Sequence, residues 1–96
     1  SYLDLEKIEI PDSVEYIGEF AFRGCKSLNE VKLPQLIKQI NKATFRECES
    51  LSKLYIPNSV EYIEDSAFER CYSLKEINLP KNLNTLEYSP SKNVVI

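Results

Sequence analysis

Three cysteines, Cys25, Cys48 and Cys71, recur at intervals of 23 residues, and they are the first residues in this 96-residue chain whose type and spacing could do chemistry. Thiols could bind a metal, close a disulfide or attack an electrophile. Their company argues against each. The chain has no histidine and no Cys-x-x-Cys pair, so zinc ligation and a Cys-His nucleophile both lack their usual parts. An odd count leaves one thiol over in any disulfide scheme, and side chains repeating in register along parallel elements point the same way rather than toward each other. The expectation is three reduced, buried thiols that act as small hydrophobes.

Other chemistry is equally thinly supplied. Without histidine there is no usual general base and no Ser-His-Asp system. Glycine occurs only at 18 and 24, which excludes a glycine-rich phosphate loop. Gly18 aligns with Asn41, Glu64 and Glu87, so its position cannot strictly require positive φ. We expect no enzymatic activity, no metal and no cofactor. A net charge of −3 gives no broad pull toward nucleic acid or an anionic membrane surface. No stretch reaches the roughly 18 apolar residues of a membrane span.

What positions the cysteines is a repeat that holds without insertion or deletion from Leu5 to Ile96. Leu5, Leu28, Leu51 and Leu74 open segments 5–27, 28–50, 51–73 and 74–96 of one domain, and Pro11, Pro34, Pro57 and Pro80 keep the same register. A fixed period of this size is the signature of a solenoid in which each repeat contacts only its neighbours. Ile8 and Ile10 alternate with Lys7 and Glu9, as a strand with one buried face does, and Pro11 ends its pairing. The Val14-to-Ile17 step returns the chain to the core, with room for a second short strand. Ala21, Phe22 and Cys25 are spaced for one helical turn held by packing of Phe22. The Phe22, Phe45 and Phe68 column is predicted to be core. Segment 74–96 puts Pro90, Ser91 and Val94 where Ala, Phe and Cys are expected and so reads as a modified cap. Residues 1–4 read as the tail of a preceding repeat, with Tyr2 in the Cys column, as if the chain were cut from a longer array.

Across repeats, sign inverts at each step. The columns Lys7-Glu30-Lys53-Glu76, Glu15-Lys38-Glu61, Glu19-Lys42-Asp65 and Lys26-Glu49 all alternate. In-register parallel strands bring such residues to about 4.8 Å from one another, where opposite charges attract and like charges repel. Every candidate pair of catalytic carboxylates falls in these columns. The strand face itself carries Lys7, Glu9, Glu30, Lys32, Lys53, Tyr55, Glu76 and Asn78, whose charges cancel. A neutral, mixed face suits a protein partner better than a phosphate backbone. Tyr55 is its only aromatic residue and hence its best anchor. Candidate contact residues are Lys7, Glu9, Lys32, Lys53, Tyr55 and Asn78, with Leu36 beside them. Leu36 is the one apolar member of a column otherwise made of Ser13, Ser59 and Asn82. Either 35–37 shifts locally to bury it, the preferred reading, or it is an exposed contact.

The pattern LxxIxIPxSVxxIxxxAFxxCxS, clearest in IPDSVEYIGEFAFRGCKSL and IPNSVEYIEDSAFERCYSL, resembles the BspA-like, or treponemal-type, leucine-rich repeat family over nearly the whole chain. The resemblance implies a curved solenoid, with a parallel β-sheet on the concave side and short helical or irregular segments opposite. It also implies a non-catalytic protein-binding or adhesion module of a larger cell-surface or secreted protein. The alternative is a structural element that self-assembles by stacking its terminal repeats end to end into a homo-oligomer.

Overall fold

The computed structural model of the protein describes residues 4–64 and 66–84. Its five strands are β1 (Lys7–Glu9), β2 (Glu30–Lys32), β3 (Gln39–Ile40), β4 (Lys53–Tyr55) and β5 (Tyr62–Ile63). The repeat places β1, β2 and β4 at equivalent positions of successive rungs, and they pair in the order β1-β2-β4. Pairing is parallel and in register, with Ile8 opposite Val31 and Val31 opposite Leu54. The second short strand forms in repeats two and three, where β3 pairs with β5 and Ile40 lies opposite Ile63.

Side chains at the repeated apolar positions stack through the rungs into one continuous core. Leu28, Leu51, Cys48, Cys71, Phe45, Ile56, Val60 and Ile63 are completely buried. The three phenylalanines stack nearly parallel, with centroids 5.6 Å apart for Phe22–Phe45 and 5.8 Å apart for Phe45–Phe68. This is the core role expected of the column.

The side opposite the sheet differs in detail from the expectation of a helical turn: no α-helix forms among the described residues. The bonds Cys25 N–H to Phe22 carbonyl and Cys48 N–H to Phe45 carbonyl, both 3.1 Å, close single turns. Left-handed residues interrupt them. Phe20, Ala43 and Ser66 have φ of 61°, 54° and 61°, and Gly24, Glu47 and Arg70 have φ of 75°, 64° and 62°. A sign change in φ stops the i-to-i−4 ladder, so each turn closes and goes no further. The backbone groups thereby freed bond between rungs instead. Phe22 N–H reaches the Thr44 carbonyl at 2.9 Å, and Glu47 N–H reaches that of Glu69 at 2.8 Å. The cap features at Pro90, Ser91 and Val94, the tail residue Tyr2, and Asp65 of the third charge column lie outside the described residues.

Candidate binding surface

Six strand residues make the exposed face of the three-stranded sheet, because the inward positions Ile8, Val31 and Leu54 turn toward the core. On rung one these are Lys7 and Glu9, on rung two Glu30 and Lys32, and on rung three Lys53 and Tyr55. Glu76 and Asn78 follow on rung four, where only Glu76 keeps a bridge to the sheet.

Rungs one and two neutralise one another. Lys7 Nζ lies 3.8 Å from Glu30 Oε2, and Lys32 Nζ lies 3.6 Å from Glu9 Oε2. Such exposed pairs contribute little to stability, roughly 0 to 1 kcal/mol each, but they fix which charges face outward. Rung three is different. Lys53 has no carboxylate within ion-pair distance among the described residues, and Tyr55 is 62% exposed. A depression of about 430 Å³ lies here, lined by Glu30, Lys32, Gln35, Lys53 and Tyr55 over Val31, Leu33 and Leu54.

The fold holds Asn78 by its amide and leaves Leu36 exposed. Asn78 is tied down at both ends of its amide. Its Oδ1 accepts from Ile56 N–H at 2.9 Å and its Nδ2 donates to the Ile56 carbonyl at 2.8 Å. The fourth rung has lost most of its strand, and this side chain takes over the pairing that backbone supplies elsewhere, as Lys32 does for Ile10 at 3.0 Å. Asn78 is thus an edge cap. Leu36 is not repacked: it is 61% exposed while its neighbour Ile37 is buried. The turn leaves it outside because Gln35 N–H is held by Asp12 Oδ1 at 3.2 Å and Gln35 Nε2 returns to the Leu33 carbonyl at 3.0 Å. Gln35 lines the depression and was not among the sequence candidates; only its place after Pro34, at the end of the strand, pointed to it.

The remaining charges serve the solenoid. Lys38–Glu61 at 3.9 Å and Lys26–Glu49 at 3.1 Å follow the alternating columns. Pairs outside those columns add to them. Glu47 sits between Arg23 and Arg70, each 3.3 Å away, and their guanidinium groups, Arg23 foremost, hold its carboxyl below the ordinary 4.5. Arg46 Nε lies 2.8 Å from Glu69 Oε1, an ion pair whose alignment falls short of a hydrogen bond. The thiols are equally occupied. Cys48 donates to the Phe22 carbonyl at 3.1 Å and Cys71 to the Phe45 carbonyl at 3.0 Å, and burial pushes both thiols up to about 12. A thiol that stays protonated is a poor nucleophile and metal ligand.

In-register parallel strands, one per repeat, stacked over an aliphatic and phenylalanine core, define a leucine-rich-repeat solenoid. A profile of the BspA type leucine-rich repeat region (6 copies) matches residues 1–94, and the chain belongs to that family. It is similar to a leucine-rich cell surface protein from Faecalibacterium prausnitzii, at 33% identity and a TM-score of 0.79 over 82% of this chain and 21% of that one. A leucine-rich repeat protein from Bacteroides ovatus is 35% identical with a TM-score of 0.76, over 86% of this chain and 24% of that one. The Treponema pallidum leucine-rich repeat protein is 32% identical with a TM-score of 0.65, over 79% of this chain and 32% of that one. The chain therefore spans about a fifth to a third of the length of these three relatives. No curated protein gives a significant match. Among the described residues no helix is long and apolar enough to cross a membrane.

Proposed function

We propose that the chain is a non-catalytic protein-binding segment of a larger cell-surface or secreted protein, and that it contributes to adhesion through the concave sheet. The observation that carries this reading is Tyr55. It is a large aromatic side chain, 62% exposed on the sheet, and it lines a depression beside Lys53, which has no ion pair among the described residues. Aromatic anchors of this kind dominate protein interfaces, because they bury much area at little conformational cost. Lys7, Glu9, Lys32 and Lys53 frame the anchor, and Leu36 extends the surface past the end of the strand. The cell-surface setting is supported by the relative from F. prausnitzii.

A photo-crosslinking side chain placed at position 55, and separately at Lys26 on the opposite side, tests this against extracellular protein fractions. The reading expects discrete adducts from position 55 and few from position 26. Adducts from 26 alone would place recognition on the turn side and refute it. Light scattering over a hundredfold range of concentration belongs beside this test. A constant monomer mass fits a binding segment, whereas a mass that climbs with concentration would favour end-to-end stacking.

A further inference from the structure

Resting on the protein-binding reading above, we propose that the surface over Tyr55 takes a single Asp or Glu side-chain carboxylate of the partner, held between Lys32 and Lys53. The geometry of the sheet points there. Read as a grid, the first two rungs form a checkerboard: Lys7 and Glu9, then Glu30 and Lys32, with each lysine paired to a carboxylate of the neighbouring rung. Continued to the third rung, the pattern calls for Lys53 and an acid. Lys53 is present, and Tyr55 stands where the acid would be.

The nearest charged neighbours of that position on the sheet face are both cations. Lys32 lies opposite Tyr55 across the β2–β4 pairing, and Lys53 is two residues back on the same face of the same strand. Of the two, Lys53 has no ion pair among the described residues, and the Tyr55 hydroxyl has no hydrogen-bond partner there either. The depression is therefore bordered by two ammonium groups, of which Lys32 shares Glu9 with rung one, and by a phenolic O–H, with Glu30 the one carboxylate in its lining. A carboxylate accepts from all of them, and its carbon stem packs on the ring.

One carboxylate fits better than a polyanion. Glu9, Glu30 and Glu76 stand on the same face and repel further negative charge, so the surplus is local. A partner segment carrying one acid among neutral residues completes the checkerboard; a phosphate chain does not.

The test is an amide chemical-shift titration of the isotope-labelled chain with two blocked peptides, acetyl-Ala-Glu-Ala-amide and its glutamine counterpart. The glutamate peptide should bind about fivefold more tightly, the size of one exposed charge pair, and should shift the amides of Lys32, Lys53 and Tyr55. Added salt should shrink that preference. Lys53→Gln should remove it, whereas Lys7→Gln, at a lysine already paired with Glu30, should leave it intact. Equal binding of the two peptides, or a preference that survives Lys53→Gln, overturns the proposal. So does tighter binding of tripolyphosphate at the same residues, which would mark a polyanion site. Crosslinks at position 55 without a glutamate preference would leave the protein-binding reading standing and remove only this inference.

Discussion

The sheet side and the turn side of each rung are built from the same repeat, yet they use their polar groups in opposite ways. On the turn side, buried polar groups bond across the rungs. Cys48 and Cys71 donate to phenylalanine carbonyls of the preceding rung, and Asn41, only 2% exposed, donates through Nδ2 to the Ile17 carbonyl at 2.5 Å. Thr44 Oγ1 reaches the Asn41 carbonyl at 2.8 Å, and three arginines meet Glu47 and Glu69. On the sheet side the side chains face water, and at rung three Lys53 and Tyr55 have no side-chain partner among the described residues. The comparison teaches a division of labour: one side holds the rungs together and the other is free to meet a partner.

Substitutions on the turn side should therefore cost stability, and the largest loss belongs to Phe45→Ala. It removes the central ring of the stack and should cost about 3 to 5 kcal/mol, enough to unfold a domain of this size. An unchanged melting temperature would break the division of labour at its strongest point. Asn41→Ala comes next. It strands the buried Ile17 carbonyl and should cost about 1 to 3 kcal/mol by urea denaturation.

The thiols sharpen the contrast through pH. In the folded chain Cys48 and Cys71 are raised to about 12, by burial first, from an ordinary 9.0. Above pH 9 the unfolded chain gives up these protons and the folded chain keeps them. Their contribution is thus complete below about pH 9 and is lost as pH rises toward 12. Cys48→Val should flatten that alkaline decline in a denaturation series, and an unaltered slope would contradict the burial account. Glu47 acts in the other direction: its lowered carboxyl contributes above the ordinary 4.5, and the contribution fades as pH falls. The smallest effect is Ser66→Gly. It relieves a left-handed residue with φ of 61°, offset by the flexibility of glycine in the unfolded chain, and should raise stability by about 1 kcal/mol or less.

How far these two sides could be read in advance follows the same line. The sheet was legible because alternation at Lys7-Ile8-Glu9 and its equivalents has only one physical meaning, and the 23-residue spacing sets the register. The turn side was not, because five of its six left-handed positions carry Phe20, Ala43, Ser66, Glu47 and Arg70, none of which advertises positive φ. Gly24 alone did, in one of the two columns that adopt it. The inter-rung packing imposes those conformations, and a local reading of Ala21-Phe22 to Cys25 sees only a helical spacing. Asn78 shows the limit at the binding surface. Its column aligns it with Glu9, Lys32 and Tyr55, but the shortened strand of its own rung turns its amide to Ile56. The local shift expected to bury Leu36 does not occur for a related reason, since the Asp12–Gln35 bond that keeps it outside joins two turns.

The central claim, that the sheet face is available because the fold does not depend on it, is tested most directly by equilibrium urea unfolding of the combined variant Lys32→Ala, Lys53→Ala and Tyr55→Ala beside the parent chain. The account predicts a difference within about 1 kcal/mol, the range of exposed surface substitutions and weak ion pairs. A loss as large as that of Phe45→Ala would show that these side chains hold the rungs together, and the division between the two sides would fail.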